Sequence, residues 1–105
     1  MANATPKSDW IAFEGGATIG TIGSEQGLIL RDEENQLGAR ITLERDGHHP
    51  YGITCGIYGL FVHTAFASNA IEAADKYNAM KSRLAELLAH EDNRGDELRR
   101  FIEEF

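Results

Sequence analysis

The residue pattern predicts an α+β domain, in which an antiparallel β-meander of about five or six short strands is followed by one long amphipathic helix and a short C-terminal helix. Two observations predict it. Up to about Ser68, apolar side chains alternate with polar ones or form short runs between glycines, whereas after Asn69 they recur every three or four residues. Glycine is also abundant, 11 residues against 2 prolines, as in a chain that turns and bends between strands.

Trp10 to Phe13 forms a first apolar run, stopped by Gly15-Gly16. Ala17 to Ile22 follows, carrying the β-branched Thr18, Ile19, Thr21 and Ile22, and reads as a strand ending at Gly23-Ser24. Gly27 to Arg31 is a further strand, and the charged Asp32 to Gln36 reads as a hairpin tip. Leu37 to Arg45 has the clearest alternation. Leu37, Ala39, Ile41 and Leu43 are set against Gly38, Arg40, Thr42 and Glu44, the pattern of a strand buried on one face. Asp46-Gly47 is a strong turn signal, because glycine accepts a positive φ. Tyr51 to Phe66 is apolar on both parities. As one straight strand it would span about 50 Å at ~3.3 Å per residue, too long for so small a domain. Two strands with a break near Gly56 to Gly59 are therefore favoured, a single strongly bent strand being the alternative.

Asn69 is a good N-cap, and Glu72 three residues on completes a capping-box spacing. Ala73, Tyr77, Met80, Leu84 and Leu87 then mark one stripe of a helix predicted over Ala70 to His90, with Glu72 and Lys76 as an i,i+4 pair. Glu91 to Gly95 breaks it, and Leu98, Phe101, Ile102 and Phe105 share one side of the short helix that follows.

Length and charge bound the function. A chain of 105 residues fits one domain, expected over residues 9–105 with 1–8 as a flexible N-terminus, and buries roughly 60–70% of its unfolded surface. The formal charge is −7, and the ten basic residues are scattered. Nucleic acids and anionic membranes bind through clustered positive charge, so neither is expected as a partner. Cys55 stands alone, which excludes an intrachain disulfide and points to a reducing compartment. Met1 to Asp9 has no apolar run of the kind a signal peptide needs, and a cytoplasmic location is expected.

Motifs for chemistry are sparse. Gly15 and Gly20 have the outer spacing of a phosphate loop, but Thr21 stands where lysine is needed and no helix follows. His48 and His49 are adjacent and point apart on extended backbone, His90 suits a helix C-terminus, and no histidine or cysteine pair has a metal-ligand spacing, so no cofactor and no metal are expected. Cys55 with His63 is the best nucleophile-and-base pair available, although a lone cysteine in an apolar strand is usually a small core residue.

Three functions stay open. The favoured one is a non-enzymatic protein-interaction module acting as a homodimer or on another protein, with Leu98, Phe101, Ile102 and Phe105 as candidate interface. The second is a small-ligand-binding domain with a pocket between sheet and helix, lined by His63, Cys55, Tyr58, Thr64 and Tyr77. The third is an enzyme using Cys55 and His63.

Overall fold

The computed structural model of the chain describes residues 10–89 and 94–105; the expectations for residues 1–8 and for His90 to Asn93 lie outside them. Five strands, β1 (Trp10–Ala12), β2 (Leu28–Asn35), β3 (Ala39–Arg45), β4 (Tyr51–Ile57) and β5 (Phe61–Ala67), form one antiparallel sheet in the order of the chain. Two helices follow, α1 (Ala70–Ala89) and α2 (Arg94–Glu104). The α+β architecture and the strand-then-helix order are those expected from the residue pattern.

The helices pack on one face of the sheet. Ala39, Ile41 and Leu43 of β3 and Ile53, Cys55 and Ile57 of β4 meet Ala73, Tyr77, Met80, Leu84 and Leu87, the whole stripe marked out by the helical spacing. The cap is also the expected one. Asn69 Oδ1 accepts the Glu72 N–H at 2.9 Å, while the Glu72 carboxylate reaches back one residue further, to the Ser68 N–H at 2.7 Å. Phe101 of α2 is fully buried, edge-on to Phe61 and His63 and tilted on Phe105, and an Arg83–Glu104 ion pair ties the helices together.

Tyr51 to Phe66 divides as expected. The turn runs through Tyr58-Gly59-Leu60, with Gly59 at φ +76° and the Leu60 N–H on the Ile57 carbonyl at 2.9 Å. Gly56 lies inside β4, where a Cβ would strike the Phe61 carbonyl oxygen.

Two segments differ from the expectation. Ala17 to Ile22 is no strand; after a 3-10 turn at Phe13–Gly16, the chain crosses the second sheet face as an irregular strap, touching β2 through an isolated Ile22–Leu28 bridge. Its threonines spend their hydroxyls locally and on the sheet, Thr21 on the Thr18 carbonyl at 2.6 Å and Thr18 on Asp32 at 2.7 Å, and Gly16 and Gly20 take positive φ. Side-chain bonding of this kind competes with a ladder and outweighs β-propensity here.

Asp32 to Asn35, read as a hairpin tip, belongs to β2 instead. The turn is Gln36 to Gly38, where Asn35 Oδ1 accepts the Leu37 N–H at 2.8 Å, and Leu37 is 64% exposed, so the buried alternation begins at Ala39. These acidic residues stay in a strand because each carboxylate has a partner. Asp32 accepts from Arg40 at 2.6 and 2.9 Å, Thr18 and Thr42 on the strap side. Glu33 accepts from the Tyr77 hydroxyl at 2.7 Å and Lys81 at 2.9 Å on the helix side. Glu34 accepts from the Tyr58 hydroxyl at 2.7 Å.

Burial pushes the Asp32 and Glu33 carboxyls up, but the hydrogen bonds and charges of Arg40, Thr18 and Thr42 around Asp32, and of Tyr77, Lys81 and Arg31 around Glu33, outweigh it. Both sit below their ordinary values of 3.8 and 4.5. Groups lowered by folding bind more protons in the unfolded chain, so their stabilisation is complete above the ordinary values and is lost as pH falls through the lowered ones. We predict an unfolding free energy that is level near neutrality and declines from about pH 5 downward. Urea titrations at successive pH values check this, and an Asp32→Asn, Glu33→Gln variant should flatten that decline.

Candidate functional site

The second sheet face is covered over only part of its width. The strap lies over β2 and β3, and there it buries polar groups. Glu44, 2% exposed, accepts the backbone N–H groups of Gly27 at 2.9 Å and Glu25 at 3.2 Å, so a carboxylate of β3 holds the strap by main-chain donors. Arg40 forks onto Asp32 and lies over the Phe13 ring, 3.6 Å from its centroid. The residues expected to face solvent on the polar parity of β3 are thus partly enclosed. Gly27 permits the approach, since a Cβ there would lie 2.7 Å from the Arg45 carbonyl oxygen and 3.0 Å from Glu44 Cβ. Gly27→Ala should therefore cost about 1–3 kcal/mol, the range for forcing a methyl into a packed site, measured by chemical denaturation.

Beyond the strap, β4 and β5 lie open. Between them and the strap runs a trough of about 710 Å³, with Thr42 and Thr54 in its floor and Ile22, Tyr58, Leu60 and Val62 at its walls. Thr54 and Thr64, opposite each other in register, share a hydroxyl contact of 3.2 Å. Val62 is 78% exposed and Leu60 46%, and Phe66 is exposed with the His49 ring edge-on at 3.8 Å between centroids. The Tyr58 phenol is pushed up to about 12, first by burial and then by the Glu34 carboxylate it donates to, and so stays a neutral donor.

The expected pocket residues are divided between the two faces. Cys55, His63 and Tyr77 lie under the helices, with Cys55 and His63 paired across β4 and β5. Thr64 is on the other face and Tyr58 is in the turn beside the trough. The five do not line one cavity between sheet and helix; the trough is on the far side of the sheet. Burial pushes the Cys55 thiol up to about 12, which leaves it protonated and unavailable as a nucleophile. His63 Nε2 is enclosed without a hydrogen-bond partner among the described residues. The Tyr77 phenol is raised by burial and by Glu33, to which it donates. Of the candidate interface residues, Phe101 is core, Leu98 and Phe105 are half-buried against it, and Ile102 is exposed.

His48 and His49 are in the β3–β4 loop, exposed, with the His48 N–H on the Glu25 carbonyl at 3.2 Å. Among the described residues no three His, Cys, Asp or Glu side chains are grouped to hold a metal ion. The arrangement offers apolar contact area beside a trough whose charged lining groups, Arg40 and Glu44, are already engaged, Arg40 with Asp32 and Glu44 with the main chain of the strap. One signal for it is in the sequence: from Gly47 to Ile71 the chain carries no Asp, Glu, Lys or Arg, and that stretch is the whole β4–β5 hairpin with its flanks.

No protein-family model, curated protein or solved structure matches the chain.

The buried thiol gives a direct check. Cys55 should resist iodoacetamide in the native chain near neutral pH and react at least tenfold faster in denaturant, as the thiolate is the reactive form. Mass spectrometry of timed samples measures both rates.

Proposed function

We propose that the chain is a non-enzymatic protein-interaction module, working as a homodimer or on another protein, and that the β4–β5 hairpin is its contact surface. The observation that carries this reading is the uncharged run from Gly47 to Ile71, which brings Tyr58, Leu60, Val62 and Phe66 to the surface of a chain with 26% charged residues. Neighbouring apolar residues on one side of a small domain mark an interaction surface more often than scattered ones do. Depletion of charge at the centre of the patch is the compositional mark of an interface. The acidic remainder argues against nucleic acid as the partner.

The buried, unpaired Cys55 fits a reducing compartment, and we read the protein as cytoplasmic. No described helix is long and apolar enough to cross a membrane. The trough favours a second reading, in which a small amphipathic molecule sits between Ile22 and Val62 above the threonine floor.

A photo-crosslinking residue tests the first reading. Placed at Leu60 it should form protein adducts in the host cell, and placed at Ser82, exposed on α1, it should form at least tenfold fewer. Equal yields at the two positions, or none at Leu60, end the reading. A small molecule retained in native mass spectrometry, with no protein adduct, would establish the second in its place.

A further inference from the structure

We propose that β5 pairs antiparallel with β5 of a second copy of this chain, across a two-fold axis at Thr64, so that two five-stranded sheets join edge to edge. The proposal rests on the reading of the β4–β5 hairpin as an interaction surface and names the occupant.

The main-chain hydrogen bonds show which groups of β5 are free. The Tyr58 N–H donates to the Gly38 carbonyl at 2.8 Å and the Asp46 N–H to the Pro50 carbonyl at 3.0 Å. Each bond lies just outside the β3–β4 ladder, which makes Ala39–Ile57 and Arg45–Tyr51, the end pairs, non-hydrogen-bonded ones. Alternation then turns the N–H and C=O groups of Tyr51, Ile53, Cys55 and Ile57 toward β5. Their register partners Ala67, Ala65, His63 and Phe61 bond back to β4. The N–H and C=O groups of Val62, Thr64 and Phe66 therefore point out of the sheet, where β5 has no strand neighbour among the described residues. Lys76 bears this out independently, since its ammonium donates to the Phe66 carbonyl at 2.7 Å from outside the sheet.

A second copy fits this edge for three reasons. First, only one antiparallel register overlaps the whole of β5 with itself, and it sets Thr64 opposite Thr64. On the open face Val62 then meets Phe66 of the second copy, a β-branched residue against an aromatic one, with the two threonines between them. On the helix face His63 meets Ala65 and Phe61 meets Ala67, large against small. Second, an isologous contact sets residues at the axis against their own copies, so a charge there faces its like. A chain of formal charge −7 can meet itself cheaply only where it carries no charge, and β5 lies inside the uncharged run. Third, the opposite edge offers no equivalent. β1 has three residues and pairs with the acidic end of β2. Edge strands are usually guarded by charge, proline or shortness; on β5 the guard is Lys76, which lies 3.8 Å from Glu72 and can turn to it when the Phe66 carbonyl takes a new donor.

Sedimentation equilibrium of the full chain should show a dimer. Thr64→Pro removes an outward N–H that takes no part in the β4–β5 ladder, and proline is tolerated at such edge positions. It should weaken the dimer at least tenfold with an unchanged circular dichroism spectrum. A paired cysteine at the axis tests the register and covers the case in which the proline variant fails to fold. In a Cys55→Ser background, Thr64→Cys should form a disulfide-linked dimer under mild oxidation, since an opposed hydrogen-bonded pair has Cα atoms about 5.5 Å apart, within disulfide reach. Ser82→Cys in the same background should not. A monomeric wild-type chain, a dimer indifferent to a folded Thr64→Pro variant, or a Thr64→Cys link no faster than that of Ser82→Cys overturns the proposal. Adducts from Leu60 to a different protein, with no dimer, would leave the interaction reading standing and remove this occupant.

Discussion

Two neighbouring carboxylates of β2 hold the layers together. Asp32 and Glu33 point to opposite faces of the sheet, as successive strand residues must. Asp32 gathers Arg40 and Thr42 from β3 and Thr18 from the strap, and Glu33 gathers Tyr77 and Lys81 from α1. An enclosed carboxylate without partners would be expelled or neutralised. Asp32 keeps Arg40 and Thr42 within the sheet and adds Thr18 of the strap, while Glu33 adds Tyr77 and Lys81 of α1 to Arg31 of its own strand, so β2 acts as a polar clasp toward the strap on one face and the helix on the other. The apolar stripe of α1 supplies the area, while Glu33 defines where along β2 the helix lies.

The same arrangement explains why the sheet is covered unevenly. On the helix face, α1 spans β3 to β5, and α2 sets Phe101 against Phe61 and His63. On the other face the strap is tied down at Asp32 and Glu44, which belong to β2 and β3. Among the described residues it has no comparable anchor further across, because β4 and β5 present threonines, glycines and apolar residues there. The trough follows from where the anchors stop. Its floor carries the Thr42 and Thr54 hydroxyls, Arg40 and Glu44 are among its lining residues, and its outer wall is apolar.

Much of the fold was legible because it depends on local rhythm. All five residues of the α1 stripe are buried, and the Asn69 cap and the division of Tyr51 to Phe66 are as read, since spacing, capping and glycine punctuation act over a few residues. The acidic end of β2 was not legible. Asp32 to Asn35 looks like a solvated turn until Arg40, Tyr77 and Lys81 are brought to it, and those residues are 8, 44 and 48 positions from the carboxylates they meet. The strap was hidden for a related reason, as its β-branched residues have strand propensity while the bonds that shape it reach across to β2 and β3. For the candidate site, the apolarity of both parities in residues 51–66 was visible, but not which face would be left bare. That depends on where the strap and helices are anchored.

Charge is as unevenly distributed as coverage, and the two patterns coincide. The strand end that clasps both layers is acidic, the helices carry most of the remaining charges, and the β4–β5 hairpin carries none. At physiological ionic strength a charge is screened beyond about 8 Å, so repulsion between acidic copies is felt mainly where charged surfaces come close. A neutral strand at one edge of the domain lets two molecules approach there with no carboxylate on the pairing strand itself, whereas approach through β1 sets the Glu33 and Glu34 end of one sheet toward the other. Net charge then works as a directional constraint that disfavours most self-encounters. The edge it guards least is the one along which the main-chain groups of Val62, Thr64 and Phe66 point outward, with Lys76 on the Phe66 carbonyl.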